Sequence, residues 1–552
     1  MRPPPDFGGA FRTDERARAA YAEGAGIFRI IPAAVAFPRS PADLQALVAW
    51  ARAEGVGLVP RGAGSAMGGG SVGPGVIADL TALEDRTCRV DPAAARARTA
   101  AAITLRELNE QAMLAGLRYP PVPSSWRWAT AGGVVACNAA GAATLRYGPA
   151  RRWVTGLDLV TGEGERVTLR RGHPAAGPER FEREVAPAIR SAAPLIEAGF
   201  PKVTKNTAGY ALDQYLLTGD ALDLVVGAEG TLGFVTAVEW RLDQVPAATV
   251  ALRVDLPSLD ALAPAVEALL RCSPSAVELL DRTFLDLVRE SSAAHLPPAG
   301  TEAVLLVEIE RPTAAAARGA VGDAVRLVSP LALNVETALE AGEVERAWAL
   351  RHAASPILAR QPVTHRSMQV IEDGCVPVPA LGAYVRFIRE RARDRGLDVV
   401  LFGHAGDGHL HVNLLPDTTA PGWEGNVRGL LEEVTAEVIR LGGTPSGEHG
   451  DGRLRARFVE RLYGGELMAL FRQVKAAFDP DGVLNPGVKL PAVDGAAEFG
   501  PLKVGAAAAP LPPDIETALR RIEREGGYGE SRIGVADGAV EGARSKVEGE
   551  GP

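Results

Sequence analysis

The sequence predicts an α+β protein of two or three domains, and three observations support this fold class. The chain has 552 residues, of which 47% are hydrophobic, and a chain of that length ordinarily divides into several domains. Three glycine-rich clusters, separated by strand-like segments, fall in the N-terminal half. Beyond about residue 245 these clusters thin out, and amphipathic helices alternate with strands up to about Leu490.

The composition excludes several classes of protein. The formal net charge of -9 is spread along the chain, which disfavours a nucleic-acid-binding protein. The four cysteines lie far apart without a CxxC pair, so neither a disulfide framework nor an iron–sulfur cluster is expected within the chain. We find neither a signal peptide nor an apolar run of about 20 residues that could cross a bilayer. These features predict a cytoplasmic protein without a transmembrane segment.

The first glycine cluster lies between two predicted strands. Ser40 followed by Pro41 predicts a helix start, and residues 56–60 and 76–80 have the pattern of strands. Between the strands lies RGAGSAMGGG, residues 61–70. Backbone N–H groups of successive small residues can bind phosphate oxygens, so residues 61–66 are a candidate pyrophosphate loop. The spacing matches neither GxGxxG nor a P-loop, and a glycine-rich turn without a ligand is the alternative for this loop alone.

Two further clusters follow in the same half. ATAGGVVACNAAG spans residues 129–141, and a predicted strand follows it at residues 154–161. GAEGTLG spans residues 227–233 and continues into an alternating strand at 234–238. Three such clusters in one half of the chain predict a ligand that is threaded across the N-terminal domain.

The C-terminal half contains a histidine cluster. The chain has eight histidines, and four of them fall between His404 and His449. The alternation of His409 and His411 predicts a strand with both imidazoles on one face, and the glycine-rich turn before it can fold His404 back towards them. Glu448 adds a carboxylate, and such a group suits zinc or manganese with positions left open for water or substrate. A single histidine of this kind is more often structural, but the clustering favours a metal site.

Four motifs in order resemble a known family. PRGAGSAMGGG, ATAGGVVACNAAGAATLRYG, GAEGTLGFVTAVE and FDPDGVLNPG resemble the FAD-linked oxidases of the vanillyl-alcohol oxidase superfamily, in the branch of glycolate oxidases, D-lactate dehydrogenases and D-2-hydroxyglutarate dehydrogenases. The likeness implies a PCMH-type FAD-binding domain of two α+β subdomains over residues 32–244. It implies an α+β, ferredoxin-like substrate and metal domain over residues 245–491. Residues 1–31 would be an N-terminal extension, and 492–552 a partly disordered tail.

The resemblance also assigns residues that bind FAD. The pyrophosphate residues would be Arg61, Gly62, Ala63, Gly64, Ser65 and Ala66. The residues around the isoalloxazine and ribityl groups would be Thr130, Gly132, Gly133, Asn138, Gly141 and Arg146. Glu229, Gly230 and Val235 would lie along the adenine, and Asn485 would reach the flavin from the C-terminal end. Because the first loop has no histidine, which some relatives use to attach the cofactor, we expect noncovalent FAD.

GHxGDGxxH and GEHG match the metal-dependent branch of the family. The likeness implies a divalent cation on His404, His411 and Glu448, with His449 as the base and His409 as a neighbour. Arg351 resembles the arginine that holds the substrate carboxylate, although a solvated helix arginine is the alternative; Ser355 and Arg366 are weaker candidates for the same pocket. The implied reaction oxidises a small 2-hydroxy acid: the metal lowers the pKa of the hydroxyl, His449 takes its proton, and hydride passes to flavin N5.

Other functions stay open at this stage. The chain could be a noncatalytic FAD-binding subunit of a multi-subunit oxidase, a metal-dependent hydrolase, or an enzyme like alkylglycerone-phosphate synthase. The tail from Leu511 to Glu530 resembles the connector that leads, in longer relatives, to an iron–sulfur domain. We therefore expect a separate iron–sulfur or quinone-linked electron acceptor, which would bring the chain to the membrane surface. The sequence does not determine which 2-hydroxy acid is used, nor the oligomeric state.

Overall fold

The computed structural model describes residues 1–173, 177–291, 296–353, 357–358, 361–491 and 500–538. Over these ranges the strands form sheets of four, five, two and seven strands. Two large hydrophobic cores lie beneath them, one centred on the glycine-rich half and one on the second half of the chain. The predicted α+β class is therefore confirmed.

The first subdomain is a small mixed sheet with two helices. Its elements are β1 (Ala10–Arg12), α1 (Glu15–Ala20), β2 (Ala34–Phe37), α2 (Pro41–Glu54), β3 (Leu58–Arg61) and β4 (Val76–Asp79). Helix α2 begins where predicted, because the Ser40 hydroxyl accepts the Asp43 N–H while the Asp43 carboxylate accepts the Ser40 N–H. Strands β3 and β4 are parallel, so the first glycine loop leaves the carboxyl end of β3. Ligands commonly bind at that end of parallel strands.

The second subdomain is an antiparallel sheet in the order β5-β6-β10-β8-β9, with helices around it. Its first elements are β5 (Cys88–Asp91), β6 (Arg96–Ala100), α3 (Leu105–Met113), β7 (Leu117–Arg118), α4 (Ala131–Cys137), α5 (Thr144–Tyr147), β8 (Val154–Val160) and β9 (Arg166–Arg170). The remaining elements are α6 (Ala186–Ser191), α7 (Ala193–Gly199), α8 (Leu212–Thr218), α9 (Leu222–Val225), β10 (Phe234–Arg241) and β11 (Asp243–Gln244). The second glycine cluster forms the start of α4, with Thr130 as its N-cap.

The C-terminal domain has a seven-stranded antiparallel sheet in the order β15-β12-β14-β13-β17-β18-β16. Its elements are β12 (Ala248–Leu256), α10 (Leu262–Leu270), β13 (Ala276–Asp281), α11 (Arg282–Ser291), β14 (Ala303–Arg311), α12 (Ala314–Val328), β15 (Asn334–Ala338), α13 (Ala341–His352), β16 (Gly374–Cys375), α14 (Leu381–Asp394), β17 (Asp398–His404), β18 (His409–Leu415) and α15 (Trp423–Arg440). Strands β12 to β15 pair in the order fourth, first, third, second, which is the ferredoxin-like arrangement that was predicted.

The chain then returns to the first domain through α16 (Gly452–Arg455) and α17 (Val459–Phe478). Leu467, Phe471 and Val474 of α17 are buried in the core of the glycine-rich half. The predicted domain 245–491 is therefore not one packing unit, since α17 belongs to the N-terminal core. This return carries the segment after Glu448 along the interface between the two domains.

The tail packs on the first subdomain. It contains α18 (Pro513–Glu525) and α19 (Arg532–Ala536). Ile515, Leu519 and Ile522 form an apolar stripe that is buried against the first sheet, and Val535 is buried in the same cluster. The tail that the resemblance implies to be partly disordered therefore includes, within residues 500–538, helices that pack on the first subdomain. Within the described part of the chain, no helix is long and apolar enough to cross a bilayer.

Candidate active site

One cavity of about 910 Å³ joins the glycine loops to the histidine cluster. Residues 61–67 line one side of it, and His404, His411, Glu448 and His449 line another. Its volume is at the upper end of the range for small-molecule sites, which suits a ligand as large as a dinucleotide cofactor. Residues that lie far apart in the sequence thus face the same space.

The first glycine loop presents free backbone donors to this cavity. Among the described residues, no group accepts a hydrogen bond from the N–H groups of residues 63–67. Gly64 has φ +76°, and a Cβ there would lie 2.5 Å from Nη2 of Arg61; a Cβ on Gly62 would lie 2.5 Å from the Thr130 hydroxyl. Side chains at these two positions would therefore distort the loop. A row of unpaired N–H groups fits the phosphate oxygens of FAD.

The side chain of Arg61 does not take part in that row. It is buried, Nη2 donates to the carbonyl of Glu23 at 2.8 Å, and Nη1 donates to the carbonyls of Tyr21 and Ser71 at 3.4 Å. The predicted pyrophosphate contact of Arg61 is thus restricted to its backbone. The guanidinium instead fastens the N-terminal segment to the loop.

The second cluster divides into residues that line the cavity and residues that do not. Thr130, Gly132, Gly133 and Gly141 line it. Asn138 and Arg146 do not line it, so the structure gives no support to their predicted contacts with the cofactor, which stay predictions. Asn138 ends α4 in the left-handed conformation, where asparagine is favoured, and its Oδ1 accepts the N–H of Arg151 at 2.9 Å.

Arg146 faces the C-terminal domain instead of the cofactor region. Its Nη1 donates to the carbonyl of Glu310, on β14, at 2.8 Å. The guanidinium also lies over the ring of Tyr147, 5.5 Å from its centroid. Arg146 therefore links the two domains, which explains why it points away from the glycine loops.

The third cluster lines the cavity through Glu229, Gly230 and Val235. The Glu229 carboxylate is hydrogen-bonded to the turn that follows the GEHG motif. It accepts the N–H groups of Asp451 and Gly452 at 2.9 and 3.0 Å. Lys489 Nζ lies 3.2 Å from the same carboxylate. Glu229 therefore links the N-terminal FAD-binding half to the segments around residues 451 and 489.

Asn485 has a structural role that sequence reasoning did not predict. Its Nδ2 donates to the carbonyls of Gly70 and Glu229, both at 2.8 Å. It does not line the cavity, and its predicted contact with the flavin stays a prediction. Asn485 instead connects the first and third glycine clusters.

The predicted metal ligands converge on one point. Nε2 of His404 lies 3.3 Å from Nε2 of His411 and 3.2 Å from Oε1 of Glu448, and His411 Nε2 lies 3.5 Å from that same oxygen. Ligands at roughly 2.1 Å from a divalent cation lie about 3.0–3.4 Å apart, so these separations fit a bound ion. Two imidazole nitrogens at this distance can share either a proton or a cation.

Carboxylate and carbonyl partners orient both imidazoles. His404 Nδ1 donates to Oε1 of Glu278 at 2.5 Å, and His411 Nδ1 donates to the carbonyl of Glu372 at 3.0 Å. Each ring therefore directs its Nε2 towards the centre, as metal-binding histidines do. Burial opposes ionisation of Glu278, but His404 and Arg351 lower its pKa to about 2.

His409 is turned to a different partner. Its Nε2 lies 2.9 Å from Oδ1 of Asp373, and the ring is fully buried. One ring nitrogen each of His409, His404 and His411 and a carboxylate oxygen of Glu448 all lie within 4.8 Å of one another. His409 thus packs beside the group, as the sequence suggested, while Asp373 engages its Nε2.

His449 faces the cavity beside Glu448. Its Nδ1 is bonded to the Glu372 carboxylate, and its ring stacks on His411 with centroids 5.4 Å apart. Burial lowers the proton affinity of the imidazole, but Glu372 and Asp373 outweigh this and raise its pKa to about 10. A base must be unprotonated, so a cation on His411 and Glu448 would help His449 by lowering that pKa through repulsion.

Arg351 lines the cavity from α13. Its Nε donates to Glu278 Oε2 at 2.9 Å, and its guanidinium lies over Phe402 at 4.5 Å. Its terminal nitrogens have no partner among the described residues, which leaves them free for a bidentate pair with a carboxylate. Arg366 also lines the cavity but pairs with Glu523, and Ser355 lies outside the described residues.

Several supporting residues were missed from the sequence. The fully buried Lys205 lies 3.1 Å from both Glu448 Oε2 and Asp407 Oδ2. Burial opposes ionisation of Glu448, but Lys205 and then His404 keep its pKa well below the usual range. Glu278 and Lys205 are more than a hundred residues from the histidine motif, and no local pattern connects them to it. Glu372, which also lies outside the motif, is paired by Arg455 Nη1 at 2.7 Å.

Comparison with known proteins agrees with this architecture. Residues 245–488 match the C-terminal domain of FAD-linked oxidases, and residues 32–170 match an FAD-binding domain. The chain is 30% identical over 488 residues to a D-2-hydroxyglutarate dehydrogenase of Xanthomonas citri, covering 83% of this chain and 89% of the relative. It is 28% identical over 464 residues to a glycolate oxidase subunit of Bacillus subtilis, with 83% and 89% covered.

Other matches set limits to the comparison. Over 496 residues the chain is 28% identical to a D-2-hydroxyglutarate dehydrogenase of Escherichia coli, covering 84% of this chain but only 48% of that relative. The chain thus spans about half the length of that protein. A solved alkyldihydroxyacetonephosphate synthase shares the fold with a TM-score of 0.59 at 16% identity, over 87% of this chain and 83% of the synthase. The chain therefore belongs to the FAD-linked oxidase family and is an FAD-dependent oxidoreductase.

Proposed function

We propose that this chain oxidises a small 2-hydroxy acid to the 2-oxo acid, using noncovalent FAD and a divalent cation. The observation that carries the proposal is the single cavity shared by the unpaired N–H groups of residues 63–67 and the group of His404, His411 and Glu448. Relatives named for D-2-hydroxyglutarate and glycolate, which are both 2-hydroxy acids, support the substrate class.

The residues for both groups are present. FAD, when bound, supplies the acceptor for the two electrons of the substrate. Its phosphates would be held by the first glycine loop, and its ring would lie along the second and third clusters. The loop has no histidine, so no covalent attachment forms there. His404, His411 and Glu448 would hold zinc or manganese, which polarises a hydroxyl and lowers its pKa.

Arg351 and Glu278 orient the substrate. The free guanidinium nitrogens of Arg351 would bind the carboxylate of the acid as a bidentate pair. Glu278 bonds Arg351 through one oxygen and His404 through the other. One buried carboxylate therefore fixes the distance between the group that binds the substrate carboxylate and the imidazole nearest the hydroxyl.

His449 receives the hydroxyl proton. Glu372 bonds its Nδ1, so Nε2 is the atom that can accept a proton from the substrate. This Nε2 lies 3.5 Å from Glu448 Oε1, beside the proposed cation site. The proton acceptor and the group that activates the hydroxyl are therefore neighbours, as general base catalysis requires.

Anaerobic reduction of the flavin tests the proposal. The holoenzyme is mixed with D- and L-2-hydroxy acids, with and without chelator, and absorbance near 450 nm is followed. We expect at least one acid to bleach the flavin, the chelator to abolish bleaching, and zinc or manganese to restore it. Bleaching by none of the acids would contradict the substrate class and favour a noncatalytic subunit. Bleaching that the chelator does not affect would contradict the role of the metal.

We also propose that the electrons leave through a separate protein, either iron–sulfur or quinone-linked. The relative in Bacillus subtilis is named as a subunit, which supports a complex. The four cysteines of this chain are far apart in sequence and form no cluster motif. If isolated holoenzyme passed electrons to oxygen as fast as to an artificial acceptor, the proposal of a partner would fail.

A further inference from the structure

The C-terminal tail forms part of the cavity wall, although it lies beyond both family matches, which end at residues 170 and 488. Lys503, Arg520, Glu523 and Tyr528 line the cavity. The tail is held in place by its buried apolar stripe on α18 and by Tyr528, whose ring centroid lies 6.1 Å from that of Trp128. The tail is therefore a fixed boundary of the space that ligands occupy.

Glu523 lies at the centre of a cation cluster in this wall. Its carboxylate accepts from Lys503 Nζ at 2.8 Å and from Arg520 Nη1 at 2.6 Å, and it forms an ion pair with Arg366. Arg366 comes from the C-terminal domain, whereas Lys503 and Arg520 come from the tail. Three cationic side chains that converge on one carboxylate make an anion site, and here the protein fills it itself.

The charges in this cluster balance only because Glu523 is present. Arg520 also pairs with Glu23, and Glu23 pairs with Arg29 at 2.7 Å. Arg29 in turn pairs with Glu516 at 2.6 Å. Three guanidinium groups thus face three carboxylates, and Lys503 is an additional basic group.

Two observations show that the cluster has no surplus of negative charge. Burial, and then repulsion from Arg366, lower the pKa of Lys503 well below its usual range. The buried Nε of Arg520 has no acceptor among the described residues. Removal of the Glu523 carboxylate would leave a guanidinium uncompensated, and an anion from solution could then bind in its place.

This cluster lies along the same wall as the proposed metal site. Arg366, Ser367, Gln369 and Glu372 all line the cavity. The Glu372 carbonyl bonds His411, so the segment 366–372 runs from the histidine group to the cluster. The histidine group and the cluster therefore lie on one wall of the same cavity, with this segment between them. An acid bound at the histidine group with its chain along this wall would point towards Glu523.

We propose that Glu523 determines substrate specificity: its carboxylate occupies the cation cluster, so the cavity accepts 2-hydroxy acids with one carboxylate and rejects those with a second at the far end. A second carboxylate would have to displace Glu523 or lie beside it as a like charge, and both are unfavourable. The inference rests on the proposed function for the reacting end of the acid, but the cluster itself can be tested without turnover.

The first test uses inorganic sulfate and the full-length holoenzyme. Glu523→Gln should tighten sulfate binding at least tenfold, measured from the dependence of Tm on sulfate concentration. Asp514→Asn is the matched control, because Asp514 lies on the same helix but pairs with Arg16, outside the cluster, and does not line the cavity. Equal sulfate affinity of the two variants would overturn the inference, whatever the enzyme oxidises.

The second test compares 2-oxopentanoate with 2-oxopentanedioate, which do not reduce oxidised FAD, by perturbation of the flavin spectrum. The wild type should bind the monoacid at least tenfold more tightly. Glu523→Gln should gain at least tenfold for the diacid, and Glu523→Gln combined with Arg366→Gln should lose that gain. Tighter binding of the diacid by the wild type would overturn the inference, and this measurement needs no variant to fold.

The outcomes separate the two proposals. If neither 2-oxo acid binds and no 2-hydroxy acid bleaches the flavin, the proposed function fails, while the sulfate result still decides the role of Glu523. If Glu523→Gln changes only the affinity for FAD, the cations serve the cofactor and the inference is wrong.

Discussion

The two walls of the cavity achieve binding by different means. The N-terminal wall offers backbone N–H groups, which are exposed because residues 62–66 have small side chains or none. The C-terminal wall offers imidazole and carboxylate side chains, each oriented by a buried partner such as Glu278 or Glu372. Binding at the N-terminal wall therefore depends on the absence of large side chains. Binding at the C-terminal wall depends on the buried partners that orient its imidazoles and carboxylates.

This difference determines how substitutions should act. A side chain added to the N-terminal wall should reduce cofactor binding and leave metal binding intact. A side chain removed from the C-terminal wall should do the reverse. The predictions for His411, Gly64 and Glu278 concern both cofactor and metal, so that a variant that loses both would show the two walls to be coupled.

We expect the largest effect from His411→Ala. It removes one proposed ligand, while the Nδ1 partner left behind is only a backbone carbonyl. The loss of polarisation by the metal should lower kcat/KM by roughly 10³-fold, because such a cation contributes several kcal/mol to charge stabilisation. Elemental analysis should show loss of the metal, and absorbance near 450 nm should show retained FAD. His173→Ala, at an exposed position, is the control and should change neither. Full activity of His411→Ala would remove the metal from the mechanism.

Gly64→Ala should act on the opposite wall. The new Cβ would meet the buried Arg61 guanidinium at 2.5 Å, in a backbone conformation with φ +76°. We expect the affinity for FAD to fall by roughly 10²-fold, or about 3 kcal/mol, while the metal is retained. Gly172→Ala is a matched control, since Gly172 has φ +74° but no atom within 4 Å of its Cβ. Equal loss of FAD from both variants would mean that backbone strain alone, and not closure of the loop, explains the effect.

The sequence indicated which segments lie near the cavity, but it did not indicate which of their side chains face the cavity. Both results have the same physical cause. Glycine clusters and a histidine pair around a turn are local patterns, and local geometry places them, as the pairing of His404 with His409 shows. Asn138, Arg146 and Asn485 lie in or beside the same motifs, but tertiary contacts turn their side chains away from the cavity. A motif therefore predicts that a segment is near the site, and only packing decides which of its side chains face the ligand.

The residues that support the site could not be predicted from the sequence, because they lie outside every local motif and reach the site only through tertiary packing. Glu278 lies on the buried strand β13, which pairs with β17 in the sheet. In the sequence it is far from the histidines. The tail residue Glu523 lies in a charged, helical segment whose composition indicates only a solvated surface. Its position in the cavity depends on the packing of α18 against the first sheet.

Glu278→Gln tests whether the partners on the C-terminal wall matter as much as the ligands. The amide can still contact His404 and Arg351 but no longer carries the charge that stabilises their donors. Metal affinity should fall 10- to 100-fold, as is typical when the outer partner of a metal-binding histidine is replaced. Titration of apo-protein with zinc measures it, and FAD binding should be unchanged. Metal affinity within twofold of the wild type would show that Glu278 only fills space.

Glu308 gives the smallest effect and contrasts with Glu278, because both are carboxylates of one sheet, but Glu278 is buried and Glu308 is half-buried. Glu308 accepts from the Ser275 hydroxyl at 3.0 Å, and burial, with repulsion from Glu310, raises its pKa to about 7. A carboxylate whose pKa is raised on folding stabilises the protonated folded state, so stability falls as the pH rises from about 4.5 to 7 and the full penalty remains above 7. Glu308→Gln should therefore raise the free energy of unfolding by about 1–2 kcal/mol at pH 8 and change it little at pH 4.5. Urea unfolding at both pH values measures this, with the exposed Glu345→Gln as control. A gain that is equal at the two pH values would show that the pKa of Glu308 is the same in the folded and unfolded protein, and that the gain comes from packing alone.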